Sequence, residues 1–300
     1  MTSKPYDSIV LVKQVPDTRH VTGEVMTKDG TMNRSALPAI FNPEDLNALE
    51  MALQVKEQYG GTVTVLTMGP MQAAEVLRQA LYRGADRVIL LSDRKFAGAD
   101  TQATSYTLKC AVQKAGAFDL IFCGRQAIDG DTAQVGPQLA EKLGLPQITY
   151  AEAIASLDGD EIVVRRAFER GMEIVKCRLP CLLTVVSTAN QPRPPSVRRR
   201  IEYKMAAIPA EYPALLEKWP EFGSELSLDS HLAANNLKIT IWTAADLDVD
   251  ESLLGLAGSP TQVYKINFVV LEATESKEIQ PTEEGIRALI QELIQEYLIG

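Results

Sequence analysis

Four short apolar runs, each followed by a segment with a helical pattern, shape the first half of the chain. The runs span residues 8–14, 62–67, 87–91 and 119–123 and have the length of buried strands. The first helix is expected to begin at Pro43, with Asn42 as its N-cap, and the second to end at Arg83. The third should begin at Asp100 or Thr101 and continue to Ala115, and the fourth should cover residues 138–144. These units predict an α/β fold with a doubly wound, mostly parallel sheet and helices on both faces.

The order of these units also predicts where a ligand binds. In a parallel α/β sheet, ligands lie beyond the carboxyl ends of the strands. The turns after Val12, Leu66, Leu91 and Phe122 should therefore lie at one edge of the sheet. At that edge Gly69 would allow the chain to approach an adenine or ribose, although a simple turn explains it equally well. The exposed main chain of residues 13–17 could contact an adenine edge.

The most informative loop follows the fourth strand and reads CGRQAIDGDTAQVGP over residues 123–137. A strand, a loop rich in Gly, Asp and Thr, and a helix N-terminus together favour an anion, because unpaired amides and the helix dipole converge there. Main-chain amides, Arg125, Thr132 and Gln134 are suited to anionic oxygens, whereas Asp129 and Asp131 should shape the turn or bind sugar hydroxyls. An ordinary turn with a helix cap is the plainer alternative.

Several other kinds of site are disfavoured by the sequence. No Gly-x-Gly-x-x-Gly follows the first strand and no P-loop motif occurs, so any phosphate must be held in another way. The four cysteines form no Cys-x-x-Cys and only two histidines exist, so no metal site is expected. The formal charge of −9 argues against nucleic acid as a partner. Without a signal peptide or an apolar run long enough to span a bilayer, the expected location is cytoplasmic.

The second half of the chain has a different pattern. Residues 160–168 and 172–177 alternate like antiparallel strands, and 181–187 is a further strand. Three prolines within 190–200 predict an exposed loop. We expect a nucleotide-binding domain over 1–204 and an extension over 205–300, with strand-like runs at 237–242 and 263–271. A hairpin is expected around Asp29-Gly30. The chain should end in an amphipathic helix that packs on its own domain or on a partner subunit.

Several motifs, in order and at matching spacing, carry a resemblance to a known family. They are KQVPDT at 13–18, Asn42-Pro43, TMGP at 67–70, GAD at 84–86 and the loop at 123–137. Over about residues 6–205 the chain resembles the β subunit of electron transfer flavoproteins. The resemblance implies an adenine nucleotide alpha hydrolase-like fold, an α subunit as heterodimer partner, and an adenine nucleotide held by the loop after the fourth strand.

Together, this edge of the sheet and the resemblance give one set of candidate cofactor-binding residues: Lys13, Val15, Asn42, Thr67, Gly69, Asp100, Thr101, Thr104, Cys123, Gly124, Arg125, Gln126, Asp129, Gly130, Asp131, Thr132, Ala133, Gln134, Val135 and Gly136. No catalytic acid or base is proposed, because the flavin carries out the redox chemistry.

The family has two branches, which differ in the nucleotide that this subunit holds. Segments 93–105 and 258–263 and the Asp-Gly-Asp form of the loop resemble the electron-bifurcating branch. That branch implies an FAD reduced by NADH, with electrons passing to ferredoxin or flavodoxin and, through the α-subunit FAD, to an acyl-CoA dehydrogenase-like flavoenzyme. Thr101 and Thr104 would then hydrogen-bond the flavin. The alternatives are a non-bifurcating carrier with structural AMP, or an adenine-nucleotide signalling module.

The segment at 190–200 aligns with the family's recognition loop, which binds the dehydrogenase partner through an aliphatic residue. Val197 occupies the matching position, and the resemblance implies partner binding by it and by the arginines around it, Arg193, Arg198, Arg199 and Arg200. These arginines could pair with acidic residues of the partner. A solvated basic loop is the alternative.

Overall fold

The computed structural model describes residues 4–17, 38–169, 171–261 and 277–296. Its strands are β1 (Ser8–Leu11), β2 (Gln14–Pro16), β3 (Ala39–Phe41), β4 (Val63–Met68), β5 (Arg87–Leu91), β6 (Leu120–Gly124), β7 (Gln147–Asp158), β8 (Glu161–Phe168), β9 (Gly171–Arg178), β10 (Cys181–Val185) and β11 (Thr240–Trp242). Its helices are α1 (Pro43–Tyr59), α2 (Ala74–Arg83), α3 (Thr101–Ala115), α4 (Val135–Leu143), α5 (Val197–Glu202), α6 (Tyr212–Lys218), α7 (Glu225–Ala234) and α8 (Glu283–Gln295).

Nine of these strands form one sheet in the order β11-β5-β4-β1-β6-β10-β7-β8-β9. The pairs from β11 to β7 are parallel, and β8 and β9 extend the sheet antiparallel. Strands β2 and β3 form a separate antiparallel pair. The predicted fold class, a doubly wound and mostly parallel α/β sheet with antiparallel strands after residue 150, is confirmed.

Both faces of the sheet are covered, because successive side chains of a strand point to opposite sides. In β1 and β6, Val10 and Phe122 pack in one apolar cluster with α1 and α2. Their neighbours Ile9 and Ile121 pack in a second cluster with α3 and α4. Strands β1 and β6 are therefore buried at every position, as parallel strands with helices on both faces require.

Several predicted boundaries differ from the structure. The run at 8–14 divides into β1 and β2, and α4 begins at Val135 instead of residue 138. The strand predicted at 181–187 is β10, which pairs parallel with β6 and β7. Strand β7 was not predicted. The predicted hairpin at Asp29-Gly30 and the strand at 263–271 lie outside the described residues.

Residues beyond 204 contain more structure than the expected extension. Five buried residues form a small apolar cluster around α6 and α7: Ala207, Tyr212, Leu228, Leu232 and Leu237. The Arg78 guanidinium of α2 contacts this part of the chain by donating to the Ala206 carbonyl at 2.8 Å and pairing with Glu211. Strand β11 then adds to the main sheet beside β5.

The predicted C-terminal helix is confirmed as α8, but the described residues show no buried side chain along it. Its predicted position Tyr297 lies outside the described residues. Within the described residues, no helix combines the length and the apolar composition needed to cross a membrane.

Candidate functional site

The carboxyl ends of β1, β4, β5 and β6 lie at one edge of the sheet, as their parallel registers require. Leu11 is in register with Leu66 of β4 and with Cys123 of β6. The loops after these strands therefore meet at this edge, and α1, α3 and α4 begin there. This edge is the candidate site.

The loop after β6 is held by the start of α1. The Asn42 side chain donates to the Gln126 carbonyl at 2.9 Å and accepts from the Ile128 N–H at 3.1 Å. Asn42 is fully buried and its side chain makes no capping bond to α1. Asn42 was predicted to contact the nucleotide, but the structure uses its amide to hold the loop.

Glu44, in the first turn of α1, binds the same loop. Its carboxylate accepts from the Gln126 N–H at 3.0 Å and pairs with the Arg125 guanidinium at 3.2 Å. Arg125 also lies over the ring of Tyr150, with 5.9 Å between the guanidinium carbon and the ring centroid. Arg125 was predicted to bind phosphate, but in this structure it faces Glu44, with about a third of its side chain (34%) exposed.

Asp45 joins two loops of the site. One carboxylate oxygen accepts from the main-chain N–H of Lys13 at 2.8 Å, after β1, and the other from that of Gly124 at 2.9 Å, at the end of β6. Burial raises the pKa of Asp45 to about 7, although these hydrogen bonds and the Lys13 charge favour the ionised form. The sequence pattern did not single out Asp45.

Two further side-chain contacts fix the shape of the loop. The Lys13 ammonium binds Asp129 at 2.7 Å, and the Gln126 amide donates to Asp131 at 2.8 Å. Both aspartates therefore help to shape the turn, as one of the two sequence interpretations proposed. Lys13 is thereby paired within the chain and still keeps an exposed ammonium.

The end of this loop has the geometry of an anion-binding site. Asp131 and Ala133 have positive φ angles of 49° and 53°, a region that residues other than glycine seldom adopt. The alternation from Ala133 to right-handed Gln134 turns successive N–H groups to one side. Helix α4 has no side-chain cap, and the N–H groups of Val135 and Gly136 begin it. Thr132 and Gly130 are exposed beside them.

Two glycines of the predicted site are explained by close packing. A Cβ on Gly124 would lie 2.5 Å from Asp45 Oδ1, and one on Gly136 would lie 2.9 Å from Cys123 Sγ and 2.8 Å from Thr184 Cγ2. Gly136 therefore lets the start of α4 approach the sheet. Cys123 is buried at this contact, and burial raises the pKa of its thiol. In this structure Cys123 packs behind the loop.

The start of α3 lies beside the start of α4. The Thr101 hydroxyl donates to Gln134 Oε1 at 2.9 Å and accepts from the Gln138 amide at 3.2 Å. The Thr104 side chain is half-buried one turn further on, and no hydrogen bond of its hydroxyl is found among the described residues. The two predicted halves of the site, at 93–105 and 123–137, are thus adjacent.

Asp100 caps α3 and also binds the C-terminal part of the chain. Its carboxylate accepts from the N–H groups of Gln102 and Ala103 at 2.9 and 3.0 Å. The same carboxylate accepts from the Thr261 N–H at 3.0 Å and hydroxyl at 2.7 Å, and the Asp100 N–H donates to Ser259 Oγ at 2.8 Å. Although burial opposes it, this hydrogen bonding holds the pKa of Asp100 below its usual value. The Asp100 carboxylate and main-chain N–H are therefore already hydrogen-bonded within the chain.

Three other predicted cofactor-binding residues are less accessible to a ligand than expected. Val15 is buried in β2 and lies opposite Ile40 of β3. The Asn42 N–H donates to the Lys13 carbonyl and the Asp17 N–H donates to the Pro38 carbonyl. Because hydrogen-bonded pairs recur at every second residue of an antiparallel ladder, Val15 and Ile40 form such a pair. The Gly69 N–H donates to the Leu91 carbonyl at 3.0 Å. The Thr67 hydroxyl is buried and has no hydrogen-bond partner among the described residues.

The predicted recognition loop is partly a helix, because its prolines end at residue 195 and Ser196 caps α5. Arg193 pairs with Glu50 at 2.7 Å and with Glu57, and the Arg199 guanidinium donates to the carbonyls of Leu81 and Ala85. These two arginines hold the segment against its own domain. Of the predicted partner-binding residues, Val197, 74% exposed, and Arg198 and Arg200 have exposed side chains.

This fold and site define a nucleotide-binding α/β protein. The electron transfer flavoprotein domain family matches residues 29–214. The chain is also 42% identical to the electron transfer flavoprotein subunit beta of Thermoanaerobacterium thermosaccharolyticum, an alignment that covers 97% of this chain and 99% of that relative. The chain belongs to the β subunits of the electron transfer flavoprotein family. Members of this family are electron-transport flavoprotein subunits that pair with an α subunit.

Two other relatives are named as parts of reductase complexes. The chain is 43% identical to caffeyl-CoA reductase-Etf complex subunit CarD of Acetobacterium woodii, over 86% of each protein. It is 39% identical to acryloyl-CoA reductase electron transfer subunit gamma of Anaerotignum propionicum, over 97% of this chain and 98% of that relative.

Proposed function

We propose that this chain is the β subunit of an electron-bifurcating electron transfer flavoprotein and that the edge of its sheet holds FAD. NADH reduces this FAD, one electron passes to ferredoxin or flavodoxin, and the other passes through the FAD of the α subunit to an acyl-CoA dehydrogenase-like flavoenzyme. When bound, FAD supplies the hydride acceptance and the single-electron transfer. The chain supplies binding and orientation.

The observation that carries this proposal is that the starts of α3 and α4 lie side by side, close enough for Thr101 to contact Gln134. A bare AMP needs only the loop after β6 and the N–H groups of α4. A longer dinucleotide needs a second polar surface beside that phosphate site. The start of α3 offers one. The Thr104 hydroxyl has no hydrogen-bond partner among the described residues, and the Thr101 hydroxyl would donate to a ring carbonyl oxygen in place of Gln134.

The phosphate part of an FAD fits the same geometry. The start of α4 has no side-chain cap, and the N–H groups of Val135 and Gly136 with the positive end of the helix dipole favour an anion. The positive φ of Ala133 turns further N–H groups toward the same side. These donors suit the diphosphate of FAD, and they suit the phosphate of AMP equally well.

The proposed partners follow from the relatives and from two exposed surfaces. Relatives named as subunits of caffeyl-CoA and acryloyl-CoA reductase assemblies support an acyl-CoA dehydrogenase-like partner. We assign its binding to Val197, Arg198 and Arg200, which are exposed on α5. Residues 205–300 form the part that contacts the α subunit, with α8 as its apolar surface.

A structural AMP in a non-bifurcating carrier is the second candidate function. The observation that favours it is the hydrogen bonding of the Thr101 hydroxyl, which is satisfied within the chain by Gln134 and Gln138. A flavin would have to share this hydroxyl or displace one of these bonds.

Nucleotide analysis of the purified heterodimer separates these functions. Denaturation should release two FAD per heterodimer if this chain holds one of them. One FAD and one AMP per heterodimer would establish the second function instead. ATP without flavin would refute both and favour the signalling module.

The double variant Thr101→Val and Thr104→Val tests the ring site. Flavin content of this subunit should fall while the α-subunit FAD remains, because both changes remove hydroxyl donors and keep the side-chain volume. Thr107→Val is the matched control, since the Thr107 hydroxyl donates to the Ala103 carbonyl of its own helix at 3.0 Å. Unchanged flavin content in the double variant would remove both threonines from the site.

A further inference from the structure

We infer that Asp45 is a positioning residue of the nucleotide site, a buried side chain that binds the main chains of both the loop after β1 and the loop after β6 and so sets the distance between them. The inference rests on the proposed function, because it assumes that a nucleotide binds between these loops. Asp45 contacts no ligand in this role. It acts through the main chains of Lys13 and Gly124.

The geometry that supports this role is that the two oxygens of the Asp45 carboxylate accept hydrogen bonds from main-chain groups at the ends of two different strands. Oδ2 accepts from the Lys13 N–H at 2.8 Å and Oδ1 from the Gly124 N–H at 2.9 Å. Lys13 follows β1 and Gly124 ends β6, and these two strands are neighbours in the sheet. Lys13 and the residues after Gly124 supply the ammonium, amides and side chains of the candidate site. A change at Asp45 therefore moves both walls of the site together.

The carboxylate must be ionised to hold both loops. Each of its partners is an N–H donor, so both oxygens must act as acceptors, which a protonated acid or an amide side chain does less well. The N-terminal turn of α1 favours this charge through the helix dipole. Burial opposes it and raises the pKa of Asp45 to about 7. The link between the loops should therefore weaken as the pH falls below neutrality.

The charged side chains nearest to Asp45 are paired with other groups of the chain. On α1, Glu44 is paired with Arg125, and beyond β1 the Lys13 ammonium is paired with Asp129. On β6, burial and the Asp45 charge raise the pKa of the Cys123 thiol, which therefore stays neutral.

The isosteric variant Asp45→Asn tests this inference. In the intact heterodimer, after removal of exchangeable nucleotide, AMP and FAD are titrated separately at pH 6 and pH 8, and thermal unfolding is followed in parallel. At pH 8 the variant should bind nucleotide roughly tenfold more weakly, the loss of about one main-chain hydrogen bond. Its Tm should be unchanged or higher, because a buried charge is removed.

The matched control is Asp86→Asn. Asp86 also accepts from a main-chain N–H, that of Val63 at 2.8 Å, but at the amino end of the sheet. This variant should keep wild-type nucleotide affinity. The wild type should lose affinity between pH 8 and pH 6 more steeply than Asp45→Asn, and this comparison cancels the titration of the AMP phosphate itself.

The inference would be overturned if Asp45→Asn bound nucleotide with wild-type affinity. It would also be overturned if the affinity of Asp45→Asn fell only in step with a lowered Tm and Asp86→Asn behaved in the same way. These outcomes differ from those of the proposed function. If the wild type binds AMP and no FAD, and Asp45→Asn weakens AMP, the FAD proposal fails and the role of Asp45 stands. If FAD binds to the wild type and to Asp45→Asn equally well, the FAD proposal stands and the inferred role of Asp45 fails.

Discussion

At the scale of single residues, the site depends on main-chain groups that side chains of α1 hold in place. Asn42, Glu44 and Asp45, which lie at the start of α1, all hydrogen-bond to main-chain groups of β6 or of the loop after it. None of the three needs to touch a ligand. Their effect on the site comes through the positions of the N–H groups they bind, which explains why buried acidic residues lie next to a site for an anion.

Gly124→Ala should disrupt this contact. A Cβ at this position would lie 2.5 Å from Asp45 Oδ1 and 2.8 Å from the Glu44 carbonyl carbon, so the start of α1 and the end of β6 would be forced apart. We expect a loss of about 1–3 kcal/mol in the free energy of unfolding, together with loss of bound nucleotide. Chemical denaturation and nucleotide release measure the two effects.

Gly171→Ala, at the start of β9 and outside the candidate site, is the control, because the nearest atom to a Cβ built there is Phe168 Cζ at 3.8 Å, an ordinary contact. This variant should keep the stability and nucleotide content of the wild type. Equal losses in the two variants would show that the close contact at Gly124 does not matter.

The pH dependence of stability should carry a contribution from Asp45. The fold raises its pKa from 3.8 to about 7, so between these pH values the native state keeps a proton that the unfolded chain has released. The free energy of unfolding should therefore fall as the pH rises through this window, by at most about 1.4 kcal/mol per pH unit for one group.

Asp45→Asn isolates this contribution, because it removes the titrating group and leaves all others. Urea unfolding at pH 5 and pH 7 should show the variant gaining stability relative to the wild type as the pH rises. A constant difference between the two proteins at both pH values would contradict the raised pKa.

At the scale of secondary-structure elements, the first half of the chain could be predicted because local signals agree with tertiary packing. Strand β5 and helix α3 have their predicted bounds, since apolar composition, the Asp100 cap and the stop at Gly116 all coincide. Strand β7 was missed because its burial does not alternate regularly. Tyr150 has a positive φ of 59°, and the register with β8 shifts between Ala151 and Ala153.

The site could be located from the sequence, but the side-chain partners could not. Strand order placed the loop at 123–137 and the start of α3 at one edge. Whether Arg125 meets a phosphate or Glu44 depends on a contact between residues 81 positions apart, which no local pattern records. Arg193 and Arg199 were read as partner-binding for the same reason, although they pair within the chain.

Asp100→Ala should weaken both the start of α3 and its link to the C-terminal segment. The change removes an N-cap, at about 1 kcal/mol, and the acceptor of both Thr261 bonds. Hydrogen exchange at the Thr261 amide should accelerate, and flavin content should fall if the start of α3 contacts the ring. Ser224→Ala, which removes the comparable cap of α7, should leave Thr261 unchanged. Unaltered exchange in Asp100→Ala would refute the link.

At the scale of the whole molecule, helix α8 is an amphipathic helix that buries no side chain against the described part of the chain. Helix α8 exposes Ile286, Ile290 and Ile294 at 53%, 44% and 51%, and their spacing places them on one side. Solvent-exposed isoleucines in a row are costly unless another surface covers them. A heterodimer partner is the surface that membership of this family provides.

Ile286→Ser and Ile290→Ser together should therefore weaken assembly with the α subunit without unfolding the β subunit. Burial of two isoleucine side chains is worth about 3–6 kcal/mol at most, so the dissociation constant of the heterodimer should rise by up to about two to four orders of magnitude. Co-purification and analytical ultracentrifugation measure this change. Ala288→Ser, on the opposite side of the same helix, controls for altered helix propensity and should assemble as the wild type does. Normal assembly of the double variant would show that the α subunit binds elsewhere and that α8 packs on its own chain.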